Sequence, residues 1–193
     1  VTIKEKQKEI VRKEYISIAK QMILEDSVES VSVRRIAEKA GCSYATIYNY
    51  FKDINELFWF TIVEFLKDII KKTEPYESKD LYCVNDLKEL YQLYMNFFFD
   101  NPNIFNFFFA FDIGMPPQEL LEFVFPPKMQ QLAIKIYNSI SSDDLSNEDV
   151  TIRCNIVTDA IHGKLLFIMG NKEIASKDEV LDSVNKLIDI VII

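Results

Sequence analysis

The sequence predicts an all-α protein of about nine helices, with a small N-terminal domain over residues 1–53 and a larger helical domain over residues 54–193. Three observations carry that prediction. Apolar residues recur at spacings of three and four through most of the chain, and no segment shows the convincing period-two alternation of a strand. Only 4 Gly and 6 Pro occur in 193 residues, so little interrupts long helices. Helix-start signals precede the periodic runs: Ser43, Asn101-Pro102, and the serine–acid pairs Ser146/Asp149 and Ser176/Glu179. With 49% apolar residues the chain can bury a substantial core, unlike a disordered composition.

Taken in order, Lys4 to Leu24 reads as the first helix, with an apolar stripe of Val11, Tyr15, Ile18, Ala19, Met22 and Ile23. Its start interleaves Lys4, Lys6, Lys8, Arg12 and Lys13 with Glu5, Glu9 and Glu14. That pattern reads as a solvated face with i,i+4 pairs; the competing reading is a basic arm beside a nucleic-acid backbone. Val33, Ile36, Ala37 and Ala40 make one face of a second helix, which Gly41 ends by accepting the left-handed conformation of a C-terminal cap. Ser43 is placed to cap a third helix, Tyr44 to Tyr50, which Ile47 and Phe51 pin to a core. Its remaining residues, Tyr44, Thr46, Tyr48, Asn49 and Tyr50, all carry hydrogen-bonding groups. Two short helices across a glycine turn form a helix-turn-helix whose second helix fits a DNA major groove.

A long helix follows, Ile54 to Lys72, with Pro75 marking its end. At about 1.5 Å per residue it is a rod of roughly 28 Å. Asp80 to Phe99 is the next helix, and Asn101-Pro102 opens another over Asn103 to Phe111 that is almost wholly apolar and therefore buried. After the loop Gly114-Met115-Pro116-Pro117, a helix to Ser139 is kinked or broken at Pro126-Pro127. Ser146 opens a helix to Met169, ended by Gly170-Asn171, and Ser176 opens the last helix, to Val191.

The formal charge of −8 argues against nucleic acid until its distribution is read. Residues 1–52 hold 10 basic and 7 acidic side chains, whereas residues 53–193 hold 12 and 23. A basic head on an acidic body suits a protein that meets phosphates at one end.

The run Ile36-Ala37-Glu38-Lys39-Ala40-Gly41-Cys42-Ser43, followed by Ala45-Thr46-Ile47-Tyr48-Asn49-Tyr50-Phe51-Lys52, resembles the DNA-binding motif of TetR-family transcriptional regulators. The resemblance covers about 50 residues; beyond them it rests on length and helical layout. It implies a homodimeric regulator on a pseudo-palindromic double-stranded operator, most simply a repressor that a small molecule releases. The body would then be a ligand-binding and dimerisation domain, and the long helix from Ile54 would transmit ligand binding to the head. The alternative is a body that binds a protein partner instead.

By the same resemblance Arg34, more than its neighbour Arg35, is the base reader on the first helix of the motif, and Tyr44 and Ala45 match base-contacting positions. Thr46, Tyr48 and Tyr50 match phosphate-contacting positions, with Ser43, Asn49 and Lys52 beside them. Half-buried packing is the competing reading for Tyr48 and Tyr50. Ile54 departs from the pattern, where a phosphate-binding lysine is usual, and leaves the helix N-terminal amides to do that work. Ser27 replaces a usual glycine, which puts the shape of that turn in question. The last two helices imply a four-helix interface between copies, through Ile152, Ile156, Ala160, Gly163 and Phe167 on one and Val180, Val184, Leu187, Ile188 and Val191 on the other. Close backbone packing would account for Gly163 within a helix.

Eight phenylalanines fall between Phe97 and Phe111. Such helices could line an apolar pocket for an aromatic or apolar effector, from Phe65, Tyr91, Tyr94, Phe98 and Phe105, with Phe108, Phe109, Leu121, Phe125 and Phe167. The bland reading of each is core. Nearby acids, Asp100, Asp112, Glu119, Glu122 and Asp159, point more weakly to a cation, since such residues are usually solvated. An enzyme finds little support: there is no phosphate-binding glycine loop and no nucleophile elbow. No metal site and no cofactor are expected, since His162 is the only histidine and neither Cys83 nor Cys154 is near it in sequence. Three scattered cysteines fit a reducing cytoplasm, and no apolar run is long enough to span a bilayer. The sequence opens at Val1 rather than a methionine and shows no secretory signal.

Overall fold

Every regular element among the described residues is helical. The computed structural model describes residues 2–124, 127–141, 145–170 and 175–192. Phe125, Pro126 and Asn171, which figure in the sequence reading, lie outside them. Ten α-helices occur among the described residues: α1 Ile3–Glu25, α2 Val33–Lys39, α3 Tyr44–Ile47, α4 Ile54–Glu77, α5 Val84–Phe99, α6 Pro102–Phe109, α7 Leu121–Val124, α8 Lys128–Ile140, α9 Asn147–Met169 and α10 Lys177–Ile192. None is long and apolar enough to cross a membrane.

The chain forms two compact units, one of Val1–Asp68 with Asn101–Phe125, the other of Ile69–Asp100 with Pro126–Ile193. In the first, Tyr15, Ala19, Met22 and Ile23 of α1 are buried together with Ile36 and Ala37 of α2 and Ile47 of α3. The phenylalanine-rich α6 contributes to this unit as core. Phe107 lies edge-on to Phe58 with centroids 5.5 Å apart and to Phe65 at 6.3 Å. The helix is not buried on all sides, however: Asn106 is exposed and Phe109 is 38% exposed.

In the second unit α9 lies against α8 and α10, and α5 against all three. Val150, Cys154, Val157, Ile161 and Leu165 form the buried face of α9 at spacings of three and four. Lys88 pairs with Asp189 at 2.5 Å and Gln92 donates to Asn185 at 3.1 Å, tying α5 to α10. Arg153 donates to the Tyr137 hydroxyl at 2.9 Å, tying α9 to α8.

Local chemistry explains where the boundaries fall. The serine–acid boxes open α9 and α10 as expected: Ser146 Oγ accepts the Asp149 N–H at 3.1 Å, and the Glu179 carboxylate accepts the Ser176 N–H at 2.8 Å. The Asp80 start is corrected to Val84, because the Asp86 carboxylate accepts the Cys83 N–H at 2.9 Å and fixes the cap there. Asp86 is itself buried and paired with Lys79, which holds its carboxyl below the usual range. Pro75 does not end α4, which runs on to Glu77. A proline so near the end removes little, and the last carbonyls find side-chain donors: Tyr82 donates to Tyr76 O at 2.7 Å and Lys135 to Glu77 O at 3.1 Å. Ser27 is extended, with φ −172°, so the turn after α1 holds no strain that would call for glycine.

Candidate nucleic-acid interface

The helix-turn-helix is built around its turn. Gly41 takes φ 67°, while Cys42 N–H reaches Ala37 O at 3.0 Å and Gly41 N–H reaches Glu38 O at 3.2 Å. This paired arrangement satisfies the last carbonyls of α2 and aims the chain into α3. The third helix is shorter than the Tyr44–Tyr50 span expected: α3 closes at Ile47 and continues as tight turns, Asn49 N–H to Thr46 O at 3.1 Å and Tyr50 N–H to Ile47 O at 2.9 Å. Ser43 stands at the N-cap position, yet its hydroxyl bonds the Thr46 hydroxyl at 2.9 Å rather than a backbone amide.

With Ile36, Ala37, Ile47 and Phe51 turned inward, the opposite faces look to solvent. Tyr44 is 56% exposed and Tyr48 52%, although large aromatic rings usually seek cover. Arg34, Arg35, Ser43, Ala45, Asn49 and Lys52 are exposed as well, and Thr46 is half-buried. The two arginines differ. The Arg34 guanidinium lies 5.9 Å from the centroid of the Tyr44 ring, joining α2 to the start of α3. Arg35 is turned back as a strut, donating to Ser30 O at 2.7 Å and to Asp26 at 3.3 Å. Tyr50 is half-buried, its ring edge-on to Tyr15 at 5.5 Å. Tyr15 in turn shares a hydrogen bond with Cys42 Sγ at 3.3 Å, and burial first, then that bond, raises the Tyr15 pKa.

Two charges sit differently from the sequence reading. Arg12 is not part of a solvated face: its guanidinium lies 4.2 Å from the Phe60 centroid and 5.1 Å from that of Phe51, with Glu56 at 4.0 Å. It clamps α1 to the start of α4. The N-terminus of α4 is also less open to phosphate than expected, because Asp53 Oδ1 accepts the Glu56 N–H at 2.9 Å and the Glu56 carboxylate accepts the Lys52 N–H. An anion already occupies that helix end.

In the second unit a half-open cavity of about 320 Å³ is lined by Tyr91 and Tyr94 of α5, Met129 and Gln130 of α8, Asn155, Thr158, Asp159 and His162 of α9, and Pro127. Tyr94 and His162 share a hydrogen bond of 2.7 Å, and Gln130 donates to Asn155. Burial pushes the His162 pKa below its ordinary value, with Asp159 acting in the opposite sense. Of the aromatic set expected to line a pocket, Tyr91 and Tyr94 do so. Phe65, Phe98 and Phe105 are sealed core side chains at 0–1% exposure. Phe108 stacks in the first unit at 6.2 Å from Phe65, and Phe109 beside it stands 4.9 Å from Phe105; Leu121 of that unit is half-buried. Phe167 is 56% exposed on α9.

The residues expected between copies also divide. Ile152 and Ile156 are 49% and 46% exposed on α9, which with Phe167 and Leu166 gives that helix an apolar outer stripe. Ala160, Gly163, Leu187 and Val191 are half-buried. Val180, Val184 and Ile188 must be removed from the interface set, since at 1%, 2% and 0% exposure their own chain already covers them. A Cβ added at Gly163 would meet nothing of its own chain within 4 Å, so packing inside the protomer does not demand glycine there.

Residues 16–58 match the family described as bacterial regulatory proteins, tetR family. Solved structures show the same fold. A TetR transcriptional regulator from Rhodococcus sp. RHA1 superposes with TM-score 0.61 at 10% identity, over 92% of this chain and 95% of that one. A TetR/AcrR-family regulator from Thermobifida fusca YX-ER1 gives 0.63 at 15% identity, over 91% and 94%. FadR from Bacillus subtilis, in complex with stearoyl-CoA, gives 0.62 at 16% identity, over 93% and 96%. A comparison with curated proteins finds no match.

Proposed function

We propose that this chain is a transcriptional regulator of the TetR family, a homodimeric repressor released from its operator by a small molecule. Residues 1–53 form the reading head and residues 54–193 the sensing and pairing body. One observation supports the head assignment above all: Arg34, Tyr44 and Tyr48 lie exposed around a fixed glycine turn, with no packing reason for two tyrosines to be there. Arg34 reads a base edge from α2, while Tyr44 and Ala45 enter the major groove. Thr46, Tyr48, Asn49 and Lys52 hold the phosphates on either side. Arg35 supports this face from behind.

A two-fold pair of such heads meets successive major grooves about 34–36 Å apart. The apolar stripe of α9 supports pairing of the bodies, and the cavity of the second unit supports small-molecule sensing over a protein-binding body. The acyl-CoA bound by the Bacillus subtilis neighbour gives a precedent for such sensing on this fold. Release requires that the effector bind the DNA-free state more tightly than the DNA-bound one, and α4 is the element assigned to carry that difference.

The test begins with a duplex selected by the protein itself. On it Tyr44→Ala and Tyr48→Ala each weaken binding by about tenfold or more in a gel shift, while circular dichroism is unchanged. Full binding by both variants would refute the assigned face.

A further inference from the structure

The cavity of the second unit has a chemistry that an apolar site would lack. Among the described residues its lining carries one formal charge, the exposed carboxylate of Asp159 on α9. The His162 imidazole beside it is shifted by burial toward its neutral form, against the opposite pull of Asp159. Several donors are already spent inside the protein: the Tyr91 hydroxyl donates to Cys154 O at 3.3 Å, the Thr158 hydroxyl to the same carbonyl at 3.0 Å, and the Gln130 amide to Asn155. What the lining offers is one carboxylate, the hydroxyl and amide groups of Thr158, Gln130 and Asn155, and two tyrosine side chains whose rings carry a negative quadrupole face. An anion entering this site would meet no lysine or arginine among its described lining residues.

We propose that this cavity binds a small organic cation, an amine or quaternary ammonium on a compact aromatic or aliphatic body, with Asp159 as its counter-charge and Tyr91 and Tyr94 as its aromatic wall. The proposal rests on reading the body as the effector-sensing part of the regulator, and it narrows the effector from an apolar or aromatic molecule to a cationic one. The site closely fits an amine of few carbons: about 320 Å³ accommodates a single ring with a short tail. The ammonium displaces water near the carboxylate while its body covers the tyrosine faces, so both contacts strengthen together.

The test uses the full chain and three probes that share one body: phenethylamine, 2-phenylethanol and 3-phenylpropionate. Calorimetric titration should show the amine binding about tenfold or more tightly than the alcohol and the carboxylate, and Asp159→Asn should lower the amine's affinity about tenfold. Equal binding of the alcohol or the carboxylate, an amine affinity that Asp159→Asn leaves within about twofold, or no binding of any probe would each overturn the proposal. A parallel anisotropy titration of the wild-type protein on its selected duplex separates this from the reading it rests on. Amine binding without release of DNA keeps the cation site and removes its effector role. DNA binding by a protein that ignores the amine keeps the regulator and removes the cation site.

Discussion

Replacing Arg34 with alanine separates reading from folding. Arg34 is exposed, and its guanidinium lies over the Tyr44 ring at 5.9 Å. An exposed cation–π contact contributes about 0.5–1 kcal/mol, so the urea midpoint should move little. DNA affinity should move much further. A bidentate arginine–guanine contact contributes about 1–3 kcal/mol, and a two-fold dimer makes it twice. The loss is then about 2–6 kcal/mol, or between about 30-fold and about 2 × 10⁴-fold in affinity. Fluorescence anisotropy on the selected duplex, repeated over a salt series, measures it. A base reader lost from both heads lowers affinity at every salt concentration and leaves the slope of log K against log salt nearly unchanged. A lost phosphate contact would instead flatten that slope by about 0.9 per head. Unchanged affinity throughout, or a loss matched by an equal fall in stability, would refute the assignment.

Three further perturbations probe the rest of the molecule. Phe107→Ala removes a ring of 0% exposure held edge-on by Phe58 and Phe65, and should cost about 3–5 kcal/mol in urea unfolding; a cost below about 1 kcal/mol would deny it a core role. His162 is half-buried beside Tyr94 with its pKa held below the ordinary 6.5 by burial, so the unfolded chain binds that proton more readily. Stability should therefore fall as pH drops through about 6.5 toward the folded pKa, and His162→Gln should remove that part of the decline; parallel melting profiles of the two proteins would contradict this. Phe167→Glu places a charge on the exposed stripe of α9 and should halve the sedimenting mass, whereas an unaltered mass would exclude that stripe as the pairing face.

What the sequence makes legible is local. The serine–acid boxes at Ser146 and Ser176, the left-handed Gly41 and the inward Ile36, Ala37 and Ile47 each follow from a few neighbouring residues, and the structure shows them as expected. Misreadings arise where the deciding partner is distant. Arg12 looks like one more charge on a solvated helix until Phe51 and Phe60 come round to meet it. Arg35 and Arg34 are adjacent and chemically alike, and only the position of Asp26 and Ser30 turns one of them away. The phenylalanine run promises a pocket because periodicity reports how apolar a face is, not whether the space beside it is filled. Phe97, Phe98, Phe105 and Phe107 fill their own cores, and the cavity forms instead where Gln130 of α8 meets Asn155 and Asp159 of α9. Val180, Val184 and Ile188 show the same limit, since a stripe facing a neighbouring helix and one facing another copy have the same period.

Exposed residues around the Gly41 turn are assigned to read duplex DNA as a symmetric pair. Selection of bound duplexes from a randomised pool by the full chain tests this assignment most directly. A two-fold pair of heads enriches a pseudo-palindrome whose half-sites lie about one helical turn, or a whole multiple of it, apart. A pool that remains unenriched after repeated rounds, or a winner without two-fold symmetry, would contradict it.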